Sequence, residues 1–183
     1  MIIIEQLKEE HQAILLMLKI MEAACKKLEA GEDVSKNDLN DMVKFIKEFA
    51  DKSHHLKEED LLFPAMEEVG IPREGGPIGV MLTEHTMGRD FVKGLSLGIE
   101  EYANGNADAS NQIIENARNY SSILSNHINK EDNILYPMAE MRISKEKQDE
   151  LLKEFERVNS EKIGLDKQKE LIAILHNLKH TYL

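Results

Sequence analysis

Residues 54–64 read HHLKEEDLLFP, and residues 127–137 read HINKEDNILYP. Aligned by their terminal prolines, the two segments pair His54 with His127 and place a glutamate four positions after each histidine. On a helix, positions four apart lie on one face about one turn from each other. An imidazole and a carboxylate at this spacing can therefore bind one metal ion or two neighbouring ions.

Long stretches of helical periodicity surround these two segments, and short clusters of glycine, proline, asparagine and aspartate separate them. The chain has only 4 prolines and no tryptophan, a composition typical of long helices rather than many short strands. Two of the three connections are short, which favours antiparallel hairpins. We predict an all-α fold, an up-down-up-down four-helix bundle, with helices at about residues 3–30, 36–69, 77–104 and 108–141.

The helical pattern continues after residue 141 in two shorter stretches, which we predict as additional helices packed on the bundle. The expected domains are a four-helix bundle at residues 1–141 and a C-terminal helical extension at residues 142–183. Pro64 and Pro137 fall late in the second and fourth helices. Each must kink its helix or end it and begin a short continuation.

Each of the four long helices carries one histidine on its apolar stripe, where a metal ligand in a bundle has to face. The residue counts to the helix ends put the histidines of each hairpin at one level. Four imidazoles and two carboxylates in an apolar interior are costly to bury unless they are partnered, and a metal site removes that cost. The candidate ligands are His11, His54, Glu58, His85, His127 and Glu131.

The paired His-x-x-Lys-Glu segments, followed by Leu-Phe-Pro and Leu-Tyr-Pro, resemble those of hemerythrin-like, or HHE cation-binding, proteins over about residues 1–141. The resemblance implies that the six candidates bind two iron ions, with both glutamates bridging and an oxo or hydroxo group between the metals. Each iron would then fill about five of six octahedral positions, which leaves one open. Donors without thiolates suit iron or manganese, and the resemblance favours iron.

The ligand set has two open alternatives. Oxygen-carrying hemerythrins place a further histidine where this chain has Arg89, and they use an aspartate at the position of Asp132. Asp132 therefore competes with Glu131 as the bridging group, although the match between the two segments favours Glu131. His55 lies on a more polar helix face, where we expect solvent exposure or a place beside the ligands, but it could also replace its neighbour His54.

Charged residues flank the candidate ligands at matching positions in the two halves of the chain. Glu10 precedes His11, Glu84 precedes the histidine of the third helix, and Lys57 and Lys130 precede the two glutamates. Charged residues beside an apolar stripe are mostly solvated. We interpret these four as helix surface rather than as groups that orient the imidazoles.

An open coordination position favours a non-haem di-iron protein that binds or reacts with oxygen, nitric oxide or peroxide, in sensing, scavenging or stress defence. Iron storage or delivery and iron-sulfur cluster repair are alternatives, because the four-histidine pattern is similar to the family branch that includes repair proteins. A di-iron peroxidase or catalase and a metal-free helical interaction module are further alternatives.

The net charge of -11 disfavours nucleic acid and membrane partners, because a negative surface repels phosphate groups. Cys25 is the single cysteine, so no internal disulfide can form, and the sequence shows no export leader. We therefore expect a cytoplasmic protein. A homodimer stays an open alternative.

Overall fold

The computed structural model describes residues 1–106 and 108–183. Residue 107, in the predicted turn between the third and fourth long helices, lies outside the described part.

The first long helix is α1, Ile2–Glu29. The second comprises α2, Lys36–Phe45, two π-helical segments, Ile46–His55 and Glu58–Leu62, and α3, Phe63–Glu68. The third is α4, Pro77–Ala103. The fourth comprises α5, Ala109–Lys130, a π-helical segment, Glu131–Leu135, and α6, Tyr136–Arg142. The C-terminal part contains α7, Lys145–Arg157, a π-helical segment, Val158–Ile163, and α8, Leu165–Tyr182.

The predicted all-α helical bundle is confirmed, and the long helices begin and end close to the expected positions. The third and fourth run antiparallel, since Gly98 lies against Ile113 and Gly88 against Tyr120. Glycine at position 98 lets α4 approach the backbone of Ile113 closely. Within the described residues, none of the helices offers the long uncharged apolar stretch that a membrane span needs.

Two clusters of buried apolar side chains fill the bundle, and a polar layer separates them. In α1, Leu7 belongs to one cluster and Ile14 to the other, with His11 between them. In the second long helix, Ala50 and Leu62 belong to different clusters, and the first of the two quoted segments begins between them. The candidate ligands therefore lie in a layer across the bundle rather than at one end of it.

The C-terminal helices contribute side chains to both apolar clusters. Phe155 of α7 is completely buried in the cluster that contains the start of α1. Leu171 and Leu175 of α8 belong to the other cluster. These contacts are consistent with a C-terminal extension packed on the bundle, and the division into two domains stays a prediction.

Pro64 and Pro137 each lie just after a π-helical segment. Proline has no N–H to donate and its ring clashes with the carbonyl four residues earlier, whereas π-helical bonds span five residues. The α-helix restarts at Phe63 and at Tyr136, each with proline in its first turn. The short α-helical continuations that were expected at the two prolines are present as α3 and α6, and they follow the π-helical segments without a break in helical backbone. These two π-helical segments begin at the candidate ligands Glu58 and Glu131. Short π-helical segments within α-helices are frequently found at functional sites.

Truncation of Phe155 tests whether the C-terminal helices belong to the stable core. We expect Phe155→Ala to lower the free energy of unfolding by about 3 to 5 kcal/mol, because it removes a fully buried aromatic ring. Urea denaturation followed by circular dichroism measures the change. The control is Leu165→Ala at an exposed leucine, which should cost less than about 0.5 kcal/mol. Equal stability of the two variants would contradict this role of α7.

Candidate metal centre

The structure brings all six candidate ligands together in the buried polar layer. The ring centroids of His11 and His54 are 4.6 Å apart, and those of His85 and His127 are also 4.6 Å apart. The expectation that each hairpin aligns its two histidines is thus met. Within this layer, the six candidate ligands are each at most 1% exposed: His11, His54, Glu58, His85, His127 and Glu131.

The two glutamates lie between the two histidine pairs. Glu131 has one oxygen 3.1 Å from His127 Nε2 and the other 3.3 Å from His11 Nε2. Glu58 Oε2 lies 3.7 Å from His54 Nε2 and 3.5 Å from His85 Nε2. Each carboxylate therefore contacts one histidine from each hairpin, as a group that bridges two metal positions must do.

Donor atoms in the layer form two groups in which every atom lies within 4.8 Å of the others. The first group contains His11, His54, Glu58 and Glu131, and the second contains His55, Glu58, His85 and His127. Because Glu58 belongs to both, the two groups describe adjacent positions rather than separate sites.

Several of these donors lack the partners that buried polar atoms require. His54 Nε2, Glu58 Oε2 and both oxygens of Glu131 have no hydrogen-bond partner among the described residues. Each such atom costs about 1 to 3 kcal/mol or more in a buried site. His85 Nε2 and His127 Nε2 are 2.9 Å apart, close to the ~3.0 Å that separates neighbouring donors around one ion with ~2.1 Å bonds. The residues present therefore fit a pair of metal cations.

Every buried histidine donates its Nδ1–H to a carboxylate at the outside of the layer. The partner fixes the tautomer, so the Nε2 lone pair is available toward the interior, as a metal ligand requires. The five pairs and their distances are His11 with Asp132 at 2.8 Å, His54 with Glu10 at 2.9 Å, His55 with Asp51 at 3.2 Å, His85 with Glu59 at 2.6 Å, and His127 with Glu84 at 2.9 Å.

The interpretation of the flanking charged residues as solvated surface was wrong. Glu10 accepts from both His54 and Lys57, and the Lys57 side chain is completely buried. Glu84 accepts from His127 and Lys130 in the same way. Residues beside an apolar stripe face the neighbouring helix when the helices pack this closely. The signal available in the sequence was the identical spacing of these charges in the two halves.

The sequence left two choices of ligand open, Asp132 or Glu131 and His55 or His54, and the structure shows where each of these residues lies. Asp132 lies behind the ring of His11 and is partly exposed, whereas Glu131 lies between the histidine pairs. His54 and His55 are both buried, and they belong to different donor groups. Of the two expectations for His55, solvent exposure was wrong, since the residue is only 4% exposed, whereas a place beside the candidate ligands agrees with the structure. The backbone there is π-helical, so the α-helical spacing used to assign faces does not apply.

Tyr136 is a contact of the site that the sequence interpretation missed. Its hydroxyl donates to Glu58 Oε1 at 2.5 Å and lies 3.4 Å from His11 Nε2. The aligned position in the first segment is Phe63, which has no hydroxyl. This difference between otherwise matching segments was the signal that could have identified Tyr136. The bond leaves the second oxygen of Glu58 facing the histidines.

Without a metal, the layer holds protons unevenly. Burial, and then the Glu131 carboxylate, raise the pKa of Glu58 well above its usual range. Burial acts in the same direction on Glu131, but His127 and His11 outweigh it and hold the pKa of Glu131 well below its usual range. Burial disfavours the cationic form of His127, yet Glu131 and Glu84 raise its pKa to about 9. A cation that binds here therefore displaces protons.

A helical bundle whose inner layer carries paired histidines and shared glutamates defines the class of bundle proteins that hold metals in their core. The chain belongs to the hemerythrin HHE cation binding domain family, whose pattern matches residues 2–139. The resemblance noted in the sequence is thereby confirmed.

The curated relatives of this chain are distant and uncharacterized. They include one protein from Mycobacterium bovis and two from strains of Mycobacterium tuberculosis, each 23% identical over 133 residues. The aligned region covers 73% of this chain and 51% of each relative, so the chain spans about half the length of these proteins. No solved structure matches the chain.

Removal of Glu84 tests the role of the outer carboxylates. We expect Glu84→Ala to weaken metal binding by about 10- to 100-fold, because His127 loses the acceptor that orients its ring. Lys130 is 35% exposed and can reach water, so the fold should persist. Competition with a chromophoric chelator measures the affinity. Exposed Glu101 on the same helix provides the control, Glu101→Ala, and equal affinities of both variants would rule out the orienting role.

Proposed function

We propose that the protein binds two iron ions in this layer and that the centre binds or reacts with a small oxidant or diatomic molecule, meaning oxygen, nitric oxide or peroxide. The main support is the set of buried Nε2 and carboxylate atoms that lack hydrogen-bond partners within the described chain. The proposed ligands are His11, His54, Glu58, His85, His127 and Glu131. When bound, the iron pair supplies one-electron redox chemistry and an open coordination position.

Donor chemistry favours iron over the other metals that helical bundles bind. The layer supplies imidazoles and carboxylates and contains no thiolate, because Cys25 is buried among apolar side chains elsewhere in the bundle. Imidazole and carboxylate donors without thiolate suit iron or manganese, and the carboxylate of Glu58, which both donor groups share, suits a pair of such ions in a bundle core. Family membership adds the preference for iron over manganese.

A cavity of about 500 Å³ supports access by a small molecule. It lies between the second long helix and α4, and its lining includes His55, His85, Gly88 and Tyr120. Arg89 also lines it and binds Asp51 and Glu59 across the two helices. A diatomic molecule or peroxide that enters this cavity reaches the imidazoles without disruption of the apolar core.

The chain's own residues would orient and shield the reacting centre. The outer carboxylates hold the imidazoles in one tautomer, and apolar clusters cover the layer on both sides. Tyr136 holds one oxygen of Glu58 and carries a hydroxyl proton within the layer. These features suit a protein that controls a reactive ligand in sensing, scavenging or stress defence.

Iron storage or delivery, including repair of iron-sulfur clusters, is the alternative. Complete burial of the six proposed ligands argues against it, because labile iron requires an easily opened site. Rapid removal of the iron by a chelator, with transfer to an apo-cluster acceptor, would favour this alternative. Catalysis is a third possibility, and sustained turnover of peroxide would identify a di-iron peroxidase or catalase.

Other proposals about the setting of the protein rest on charge and composition. We propose no nucleic acid or membrane partner, because the net charge is -11. We also propose a cytoplasmic location, because Cys25 is the single cysteine and no internal disulfide can form. A homodimer is compatible with these features, and size-exclusion chromatography with light scattering would test it.

Iron loading and ligand exposure test the proposed function. We expect about two iron ions per chain by elemental analysis, and a change in the visible spectrum when the reduced protein meets oxygen, nitric oxide or peroxide. His54→Ala should lose at least one iron ion and the spectral change, because it removes a buried donor. The control is His180→Ala, at an exposed histidine of α8, which should retain both. Absence of iron from the wild-type protein, or an unchanged spectrum with all three ligands, would refute the proposal.

A further inference from the structure

The cavity beside the metal layer extends well beyond the imidazoles that it reaches. Its lining on α4 runs from His85 to Glu100, which is about 22 Å along the helix at 1.5 Å per residue. Its volume of about 500 Å³ lies within the range of about 300 to 1,000 Å³ that is usual for binding sites of small organic molecules. A diatomic molecule or peroxide needs far less room, so the proposed access route does not account for the size of the cavity.

We propose that this cavity binds an elongated organic acid, with its carboxylate at Lys47 and Lys93 and a neutral hydroxyl or carbonyl oxygen at Tyr120. A medium-chain hydroxy fatty acid is the class of compound that has these features. The inference goes beyond the proposed function, because none of the six proposed metal ligands is needed for it.

Tyr120 supplies a polar group at the inner end of the cavity. The residue is 2% exposed and lines the cavity, and its hydroxyl has no hydrogen-bond partner among the residues that the structure describes. Burial, and then the Asp51 carboxylate, raise the pKa of Tyr120, so the hydroxyl keeps its proton and can donate it to a hydrogen bond. Buried hydroxyls normally have a partner, and an oxygen atom of a ligand would provide one here.

The inner end of the cavity favours a neutral oxygen over a carboxylate. Arg89 binds the carboxylates of Asp51 and Glu59, so two negative groups face one guanidinium there. Asp51 is also the charge that acts on the Tyr120 hydroxyl. A ligand carboxylate at this point would meet a negative neighbour, whereas a hydroxyl or carbonyl oxygen accepts the same hydrogen bond without repulsion.

The outer end of the cavity favours an anion. Lys47 donates to Ser96 Oγ at 3.0 Å, and Lys93 lies one helical turn before Ser96 on α4, so two ammonium groups flank one place. Neither lysine pairs with a carboxylate of the described chain. Glu100 also lines this end, four residues after Ser96, so two positive groups stand against one negative group. A ligand carboxylate at the two lysines would balance the charge.

Apolar side chains line the cavity between its two polar ends. Ile46 and Val92 are buried, whereas Leu97 is 50% exposed, and an alkyl chain in the cavity would remove the Leu97 side chain from water. Gly88, which lies against Tyr120, and Ser96, which binds Lys47, are separated by eight residues of α4, or about 12 Å. A chain of medium length therefore reaches from one polar end to the other.

The internal repeat gives independent support for a space beside Tyr120. His85 follows His11 by 74 residues, and at this offset Gly88 corresponds to Ile14. Ile14 is 2% exposed and belongs to an apolar cluster, so a side chain fills the equivalent place in the other half. A Cβ added at Gly88 would lie 3.5 Å from the Tyr120 ring, an ordinary contact distance. Close packing therefore does not require glycine here, and the absent side chain keeps the cavity open.

Three probes that differ in one polar group test the two ends of the cavity. The first is ω-hydroxydecanoate, decanoate lacks its hydroxyl group, and the corresponding α,ω-diol lacks its carboxylate. Isothermal titration calorimetry on the full chain as purified measures the three dissociation constants. We expect ω-hydroxydecanoate to bind about fivefold or more tightly than each of the other two, because each loses one hydrogen-bonding group.

Matched variants show whether the probes bind in the cavity. Tyr120→Phe should lose the preference for ω-hydroxydecanoate over decanoate, because it removes the hydroxyl without removing a hydrogen bond within the described chain. Lys47→Gln combined with Lys93→Gln should lose the preference for ω-hydroxydecanoate over the diol. The controls are Tyr182→Phe on α8 and exposed Lys153→Gln on α7, which should keep both preferences.

The proposal is overturned if the wild type shows no saturable binding of ω-hydroxydecanoate or binds the three probes with equal affinity. Preferences that persist in Tyr120→Phe and in the double lysine variant would also overturn it, because the probes would then bind elsewhere. None of these results depends on iron content or on the visible spectrum. Failure of this proposal is therefore distinguishable from failure of the proposed function.

Discussion

Five imidazoles and two carboxylates share one buried layer of this bundle, and their partners constrain the structure around them. Each imidazole donates outward to a carboxylate, so its second nitrogen must face the interior. The interior therefore collects lone pairs and negative oxygens that do not satisfy one another. Only protons or metal cations can neutralise such a set, and this requirement connects the fold to the proposed chemistry.

The backbone accommodates this layer through its π-helical segments. They begin at Glu58 and Glu131, and a longer one carries His54 and His55. A wider helical turn changes the direction of successive side chains, so two adjacent histidines can both be buried. The apolar clusters, with contributions from α7 and α8, cover the layer on two sides, and the cavity beside His55 and His85 reaches it from a third. The two halves of the chain repeat most of these features, and the differences at His55 and Tyr136 make the halves unequal.

Much of the site followed from the sequence because it depends on spacing. The histidine and glutamate of each matching segment are four positions apart, and one histidine lies on each apolar stripe. The carboxylates and lysines that surround the imidazoles could not be predicted from the sequence. Glu10, Glu84 and Lys57 look like solvated surface until the neighbouring helix is placed beside them. His55 was assigned to a polar face because ideal α-helical spacing was assumed. Tyr136 differed from Phe63 by one hydroxyl, and its partner Glu58 lies on another helix.

The sequence by itself determined that the chain forms long amphipathic helices with paired histidines and glutamates facing inward, because local periodicity fixes which face of a helix is apolar. Tertiary structure decided which carboxylate orients which imidazole, that Glu131 rather than Asp132 lies between the histidine pairs, and that His55 reaches the layer. These contacts join residues on different helices, as between His11 and Asp132, and their distances depend on helix packing and on local widening of the backbone turn. Sequence periodicity carries no information about either.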